Sequence, residues 1–145
     1  MDRDRAFAAI LLDGKIAMVR VDEKDRSYWT LPGGGVEEGE SREEAAVREA
    51  MEETNLKIKI VRFLFQGKYA AGTEYCYLAE PTKGGQHIKL GHDPELEVNE
   101  QVLKQAEWIP IGDLKDDLHV TRVIKALSQE EIEKYKIDLQ GCLDL

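Results

Sequence analysis

Apolar and polar positions alternate in blocks along the chain, and the blocks predict its elements. Ala6 to Leu12 is a continuous apolar run, and Lys15 to Val21 follows it after Asp13-Gly14. Asp-Gly between two such runs predicts a β-hairpin, with the first strand well buried. Asp22 to Ser27 is charged and loop-like, and Tyr28 to Pro32 is a short extended piece because Pro32 steers Leu31 away from helix. Gly33, Gly34 and Gly35 permit backbone shapes that residues with a Cβ resist. Ser41 with Glu44 three residues on forms a capping box, so a helix starts there and runs to about Thr54. Asn55 suits the left-handed residue that stops it. Ile58, Ile60, Phe63 and Phe65 predict a long strand over Lys57 to Tyr69, whose phase slips near Arg62 as at a bulge. Thr73 to Ala79 reads as its partner, with the turn at Ala71-Gly72. Lys83 to Glu100 is a long polar loop with one short strand near Ile88, and Ala106 to Ile111 is the last strand. Val120, Val123, Ile124 and Leu127 fall at helical spacing. Ser128 and Glu131 form a second capping box before a short helix to about Lys136, and 137–145 reads as a tail.

A chain of 145 residues with 42% apolar content suits a single globular domain, 1–145, with a sizeable core. The net charge of −9 disfavours a nucleic-acid polymer or an acidic membrane as partner. It remains compatible with a small anionic substrate if metal ions neutralise the contact. Cys76 and Cys142 lie far apart in sequence and neither stands at zinc spacing, so both read as reduced thiols. The N-terminal apolar run is too short to span a membrane and lacks a cleavage pattern, which points to the cytoplasm. Nothing in the chain decides between a monomer and a homodimer.

Charge is most uneven between Gly33 and Leu56. Eight carboxylates crowd this stretch, at Glu37, Glu38, Glu40, Glu43, Glu44, Glu49, Glu52 and Glu53, against Arg42 and Arg48 alone. On a helical wheel with Arg48 at the origin, Glu52, Glu49 and Glu53 fall at about 40°, 100° and 140° and share one face. Ala46, Ala50, Val47 and Met51 occupy roughly 160° to 300° and are the expected buried face, which leaves the carboxylates turned to a cleft or solvent. Three carboxylates beside a glycine turn suit a hard cation, Mg²⁺ or Mn²⁺, and magnesium commonly shares its shell with substrate phosphates. Arg48 reaches Glu52 at i,i+4. A solvated acidic face is the ordinary alternative; the scarcity of opposing cations and the preceding glycines weigh against it.

Other motifs fail. Gly34 and Gly39 have the outline of a phosphate loop, but Glu40 stands where that loop needs lysine. His87 and His92 are poorly spaced for chelation and read as surface residues. His119 precedes the predicted helix at Val120, as an N-terminal loop residue or a substrate contact. No serine or cysteine has a nucleophile setting.

At the acidic stretch the sequence resembles the Nudix hydrolase family, whose box reads G-x5-E-x7-R-E-U-x-E-E-x-G-U. Gly34, Glu40, Arg48, Glu49, Ala50, Glu52, Glu53 and Leu56 fill those places, and Asn55 replaces the family's last glycine. Trp29, Leu31, Pro32, Gly33 and Gly34 before the box, and Glu107 to Pro110 with Asp113-Leu114 after it, extend the likeness. The resemblance implies an α/β/α sandwich around a mixed sheet. It implies metal-dependent hydrolysis of a pyrophosphate bond in a nucleoside diphosphate linked to another moiety. By position Glu49, Glu52 and Glu53 would ligate Mg²⁺ or Mn²⁺ with a backbone carbonyl near Gly33, and Glu40 would be an accessory ligand. Arg48 would orient a box glutamate, and the general base would be Glu53, or Glu97 or Glu100.

Substrate choice is written outside the box. The window after it, Ala71 to Glu74, lacks the proline or tyrosine that marks ADP-ribose or dinucleoside polyphosphate subfamilies. On small size and a single domain alone, a nucleoside triphosphate pyrophosphatase of the MutT type is slightly ahead of those two and of a non-catalytic nucleotide sensor. Tyr28, Trp29 and Tyr75 are candidates to stack on a base, although aromatic residues near strands are more often core.

Overall fold

The computed structural model describes residues 3–23, 25–89 and 103–138. Its frame is a seven-stranded mixed sheet. The strands are β1 (Arg5–Leu12), β2 (Lys15–Glu23), β3 (Arg26–Thr30), β4 (Gly33–Gly35), β5 (Ile58–Tyr69), β6 (Gly72–Pro81) and β7 (Leu103–Pro110). The spatial order is β3-β2-β1-β6-β5, with β4 also pairing β1 and β7 also pairing β2. Only β1 and β6 run parallel among the described pairs; their register sets Arg5 beside Glu74 and Phe7 beside Cys76. Helices α1 (Arg42–Thr54), α2 (Leu118–Ala126) and α3 (Gln129–Lys134) complete the chain, with one 3-10 turn at Ile111–Leu114.

The apolar run of β1 is the middle of an α/β/α sandwich. Side chains alternate across a strand. Ala6, Ala8 and Ile10 pack with Ala45, Ala46 and Ala50 of α1, whereas Phe7, Ala9 and Leu11 pack with Val120 and Val123 of α2 and with Tyr135. A strand covered on both faces must be apolar at every position, which is why no alternation shows in its sequence. Small alanines on the α1 side let that helix lie close to the sheet.

Local signals are met at most junctions. Asp13 and Gly14 both take positive φ, 48° and 81°, in the β1–β2 turn. Ser41 and Ser128 each form a full capping box. Asn55 stops α1 in the left-handed region at φ 63°. The β5–β6 register shifts twice, between Ile60 and Arg62 and between Phe63 and Phe65, at the phase slip seen in the sequence.

Several expectations change. The charged stretch after Val21 is strand as far as Glu23 and again from Arg26, because β2 and β3 pair through Glu23 and Arg26. The β5–β6 turn is Ala70-Ala71, since Tyr69 pairs with Gly72. Ile88 is not in a strand. His119 lies inside α2, which starts at Leu118 behind the cap Asp117. Ile137, where a tail was expected to begin, is buried. Residues 139–145, with Cys142, lie outside the described residues, as do His92, Glu97 and Glu100.

Candidate active site

The three glycines are used for closeness rather than for unusual dihedrals, since positive φ falls at Gly39 and not at Gly33, Gly34 or Gly35. A Cβ at Gly33 would stand 2.4 Å from the Ala6 carbonyl oxygen, and one at Gly34 would stand 2.6 Å from Glu49 Oε1. Strand β4 is thereby wedged between β1 and helix α1, and it lies directly against the helix carboxylates.

The buried face of α1 is rotated from the one expected. Ala45, Ala46, Ala50, Glu53 and Thr54 are buried, while Met51 is 38% exposed. Of the three carboxylates expected to face a cleft or solvent, Glu53 is 8% exposed and takes the cleft side, lining a cavity. The reason is volume: β4 has no side chains, so the helix turns its glutamates, and not Met51, into the space beside it. The Gly33 amide donates to Glu53 Oε2 at 3.1 Å. Burial, then the neighbouring Glu49 carboxylate, raises the proton affinity of Glu53 well above the usual carboxylate range.

Arg48 gathers the other carboxylates. Its Nε donates to Glu40 Oε2 at 2.7 Å and its NH2 to Glu40 Oε1 at 3.0 Å, a two-pronged pair. The same guanidinium reaches Glu49 at 3.0 Å, Glu52 at 3.2 Å and the Gly35 carbonyl at 3.0 Å. Glu37 lies farther off, at 3.8 Å. Hydrogen bonding to Arg48 holds the Glu40 carboxyl below its ordinary range. One cation thus serves four carboxylates, and Glu53 stands behind them with none.

Glu49, Glu52 and Glu53 share the helix but do not converge on a point. Among the described residues no group of three or more His, Cys, Asp or Glu side chains is set to hold a metal ion. Glu49 and Glu52 are drawn onto Arg48, the nearest positive charge. The donor set nevertheless fits a hard divalent cation: it is all oxygen, it is short of positive charge, and two of its carboxylates repel each other beside a backbone with no side chains.

A cavity of about 380 Å³ opens beside this cluster. Gly33 and Glu53 are part of its wall, and Tyr28, Arg5, Glu74 and His119 are among the other residues that line it. Of the aromatic candidates, Tyr28 is brought here. Trp29 packs partly buried on the α2-side core, and Tyr75 packs on the α1-side core with Arg42 Cζ 3.8 Å from its ring centroid. Arg5, Glu74 and His119 were not singled out together from the sequence. The parallel β1–β6 pairing that joins the first two is a long-range fact with no local signal.

Residues 2–128 match the NUDIX domain, and the chain belongs to that family. It is 30% identical over 138 residues to MutT4 of Mycobacterium tuberculosis (strain CDC 1551 / Oshkosh), covering 87% of this chain and 52% of that one. It is 32% identical over 116 residues to the diphosphoinositol polyphosphate phosphohydrolase 2 of Mus musculus, covering 79% and 57%. The chain thus spans little more than half the length of either relative. Its fold matches that of a Caenorhabditis elegans Ap4A hydrolase with a TM-score of 0.66 at 18% identity, covering 85% and 93%. Family and fold are those of the NUDIX domain. Among the described residues no helix is long and apolar enough to cross a membrane.

Proposed function

We propose that this chain is a single-domain, divalent-metal-dependent pyrophosphohydrolase that cleaves a phosphoanhydride of a nucleoside triphosphate or a related nucleotide. The observation that carries the reading is the set of Glu49 and Glu53 against the bare Gly33-Gly34 backbone, with too little positive charge nearby. Glu49, Glu52 and Glu53, with a carbonyl near Gly33, would hold Mg²⁺ or Mn²⁺. A bound ion supplies charge withdrawal from phosphorus and a lowered pKa for water. Glu40 anchors Arg48 by accepting from its fork, and Arg48 orients Glu49 and Glu52 through NH1. Glu53, fixed by the Gly33 hydrogen bond, is also the candidate to take the proton from the attacking water. Glu100, the other candidate base, lies outside the described residues.

A small nucleotide is favoured over a phosphorylated polyol because the cavity beside Glu53 has an aromatic wall in Tyr28. The reading supports a soluble cytoplasmic enzyme without a nucleic-acid polymer or membrane as partner. Its test is a panel of nucleotides with Mg²⁺ and with Mn²⁺, run on the wild type and on Glu53→Gln. Removing a general base should cost about 10²- to 10⁴-fold in kcat. Equal turnover by Glu53→Gln overturns the role of Glu53, and nucleotide binding without turnover of any compound overturns the enzyme in favour of a sensor.

A further inference from the structure

The two residues in front of β1 reach past their own strand. Strand β4 pairs with β1 from Phe7 back to Arg5, which lies beside Gly35. Beyond that pair the Val36 amide donates to the Asp4 carbonyl at 2.9 Å, and Arg3 Nε donates to the Val36 carbonyl at 3.2 Å. A Cβ at Gly35 would stand 2.6 Å from both Arg3 Cζ and Arg3 Nε, and the next nearest atom is Arg3 NH1. The guanidinium therefore occupies the space that a side chain at Gly35 would need. On its other side this arm is tied down: the Arg3 amide donates to the Ala71 carbonyl at 2.7 Å, and the Tyr69 hydroxyl donates to the Arg3 carbonyl. The Asp4 carboxylate reaches Arg42, at the head of α1, at 3.6 Å. Arg3 and Asp4 thus bridge the β5–β6 turn to the turn between β4 and α1. That second turn carries the anchor of Arg48. The Gly35 carbonyl accepts from Arg48 NH2 at 3.0 Å, and the Glu37 amide donates at 3.1 Å to Glu40 Oε1, fixing the carboxylate that receives the Arg48 fork.

We propose that Arg3 is a positioning residue for the carboxylate site: it fixes the 35–40 turn, so that Arg48 stays on its Glu40 side and yields Glu49 and Glu52 to a divalent ion. Arg48 has two sets of partners, Glu40 with the Gly35 carbonyl on one side and Glu49 with Glu52 on the other. A divalent ion competes only for the second set. With the first set fixed, the guanidinium keeps its strongest pair when it lets go of the second. With the turn loose, it follows the helix carboxylates and has to be displaced. This inference rests on the reading of Glu49 and Glu52 as metal ligands. Charge alone works the other way, since removing a positive group from the neighbourhood strengthens the pull on a cation. The sign of the change therefore separates positioning from electrostatics. Arg3 is exposed, so losing its side chain should cost the fold little.

The test titrates the full chain with Mn²⁺ alone, read by electron paramagnetic resonance, in the wild type, Arg3→Ala, Gly35→Ala and the double variant. The ion at this site is the one lost in Glu49→Gln. In Arg3→Ala the Mn²⁺ dissociation constant should rise about fivefold, less than the 10- to 100-fold of a partner bonded to a ligand itself. Gly35→Ala pushes the guanidinium aside but keeps its charge, and it should give a similar rise. The double variant should bind no worse than the weaker single one, as for two changes that break one contact. Hydrogen exchange of the metal-free protein should be about tenfold faster at the Val36 amide in both single variants and unchanged at Ala50 in the middle of α1. Tm should stay within about 2 °C of wild type. Unchanged or tighter Mn²⁺ binding in Arg3→Ala, or effects that add in the double variant, overturns the proposal. If Gly35→Ala does not fold, the binding and exchange of Arg3→Ala decide. If the wild type binds no Mn²⁺ at Glu49, the metal reading falls; faster exchange at Val36 in Arg3→Ala then sustains the hold of Arg3 on the turn, and unchanged exchange overturns it.

Discussion

Arg48→Gln separates the electrostatics of the acidic helix from its shape. The guanidinium is 24% exposed and contacts Glu40 at 15% and Glu49 at 17%. Those two pairs are shielded enough to count. The pairs with Glu52 and Glu37, at 54% and 59% exposure, are screened and add little. Charge-assisted hydrogen bonds are worth about 1.5 to 3 kcal/mol each, and the Gln amide recovers part of one, so the variant should lose about 3 kcal/mol. For a chain of this size that lowers Tm by roughly 10 °C. The variant also frees Glu49 and Glu52 from their competitor. Metal that binds the folded state stabilises by mass action, about 2.7 kcal/mol at one hundred times Kd. Saturating Mg²⁺ should therefore raise the Tm of Arg48→Gln by more than it raises that of the wild type. Thermal unfolding with and without Mg²⁺ reads both quantities. A Tm within about 1 °C of wild type, or an equal Mg²⁺ shift in the two proteins, would show that Arg48 neither holds the carboxylates nor competes for them.

Three further outcomes follow from the same structure. Gly34→Ala places a methyl on Glu49, 2.6 Å from Oε1 by geometry, so hydrolysis should fall by about 10- to 100-fold, as for a displaced ligand, while circular dichroism stays native; undiminished activity refutes the close fit. Hydrogen bonding to Arg62 lowers the Glu131 carboxyl to about 2. A depressed carboxyl stabilises the fold above its unfolded pKa and loses that contribution as pH falls through the folded one. Arg62→Ala should thus cost about 1 to 2 kcal/mol at pH 7 after allowing for screening at the 40%-exposed arginine, and the gap should close between about pH 4.5 and 2 in urea titrations. Cys76 is 3% exposed and burial pushes its thiol up to about 12, so in a Cys142→Ser background a thiol reagent at pH 8 should react only as fast as the chain opens; rapid labelling of the native protein contradicts that burial.

What the sequence made legible was local. Capping boxes at Ser41 and Ser128, the Asp13-Gly14 turn and the stop at Asn55 each depend on a few adjacent residues, and each was met. The phase slip at Arg62 was readable because it interrupts a period of two. The rotation of α1 was not, because Glu53 is buried by a strand without side chains, and the wheel scores only the helix's own apolar residues. The glycines announced themselves as unusual, but their reason, contact with Ala6 and Glu49, belongs to distant segments. In the same way, Glu74 and His119 become partners only once β6 lies beside β1 and α2 folds across the sheet.

The two register shifts in β5 bear on how copies of this chain can meet. Among the described strands β5 ends the sheet, so one side of its backbone lacks a β neighbour. A strand with interruptions at Ile60–Arg62 and Phe63–Phe65 offers no long run of evenly spaced donors and acceptors. A second molecule could zip onto it for only a few residues before losing step. Pairing of two copies edge to edge through β5 is therefore disfavoured, and this end of the sheet resists growing from molecule to molecule.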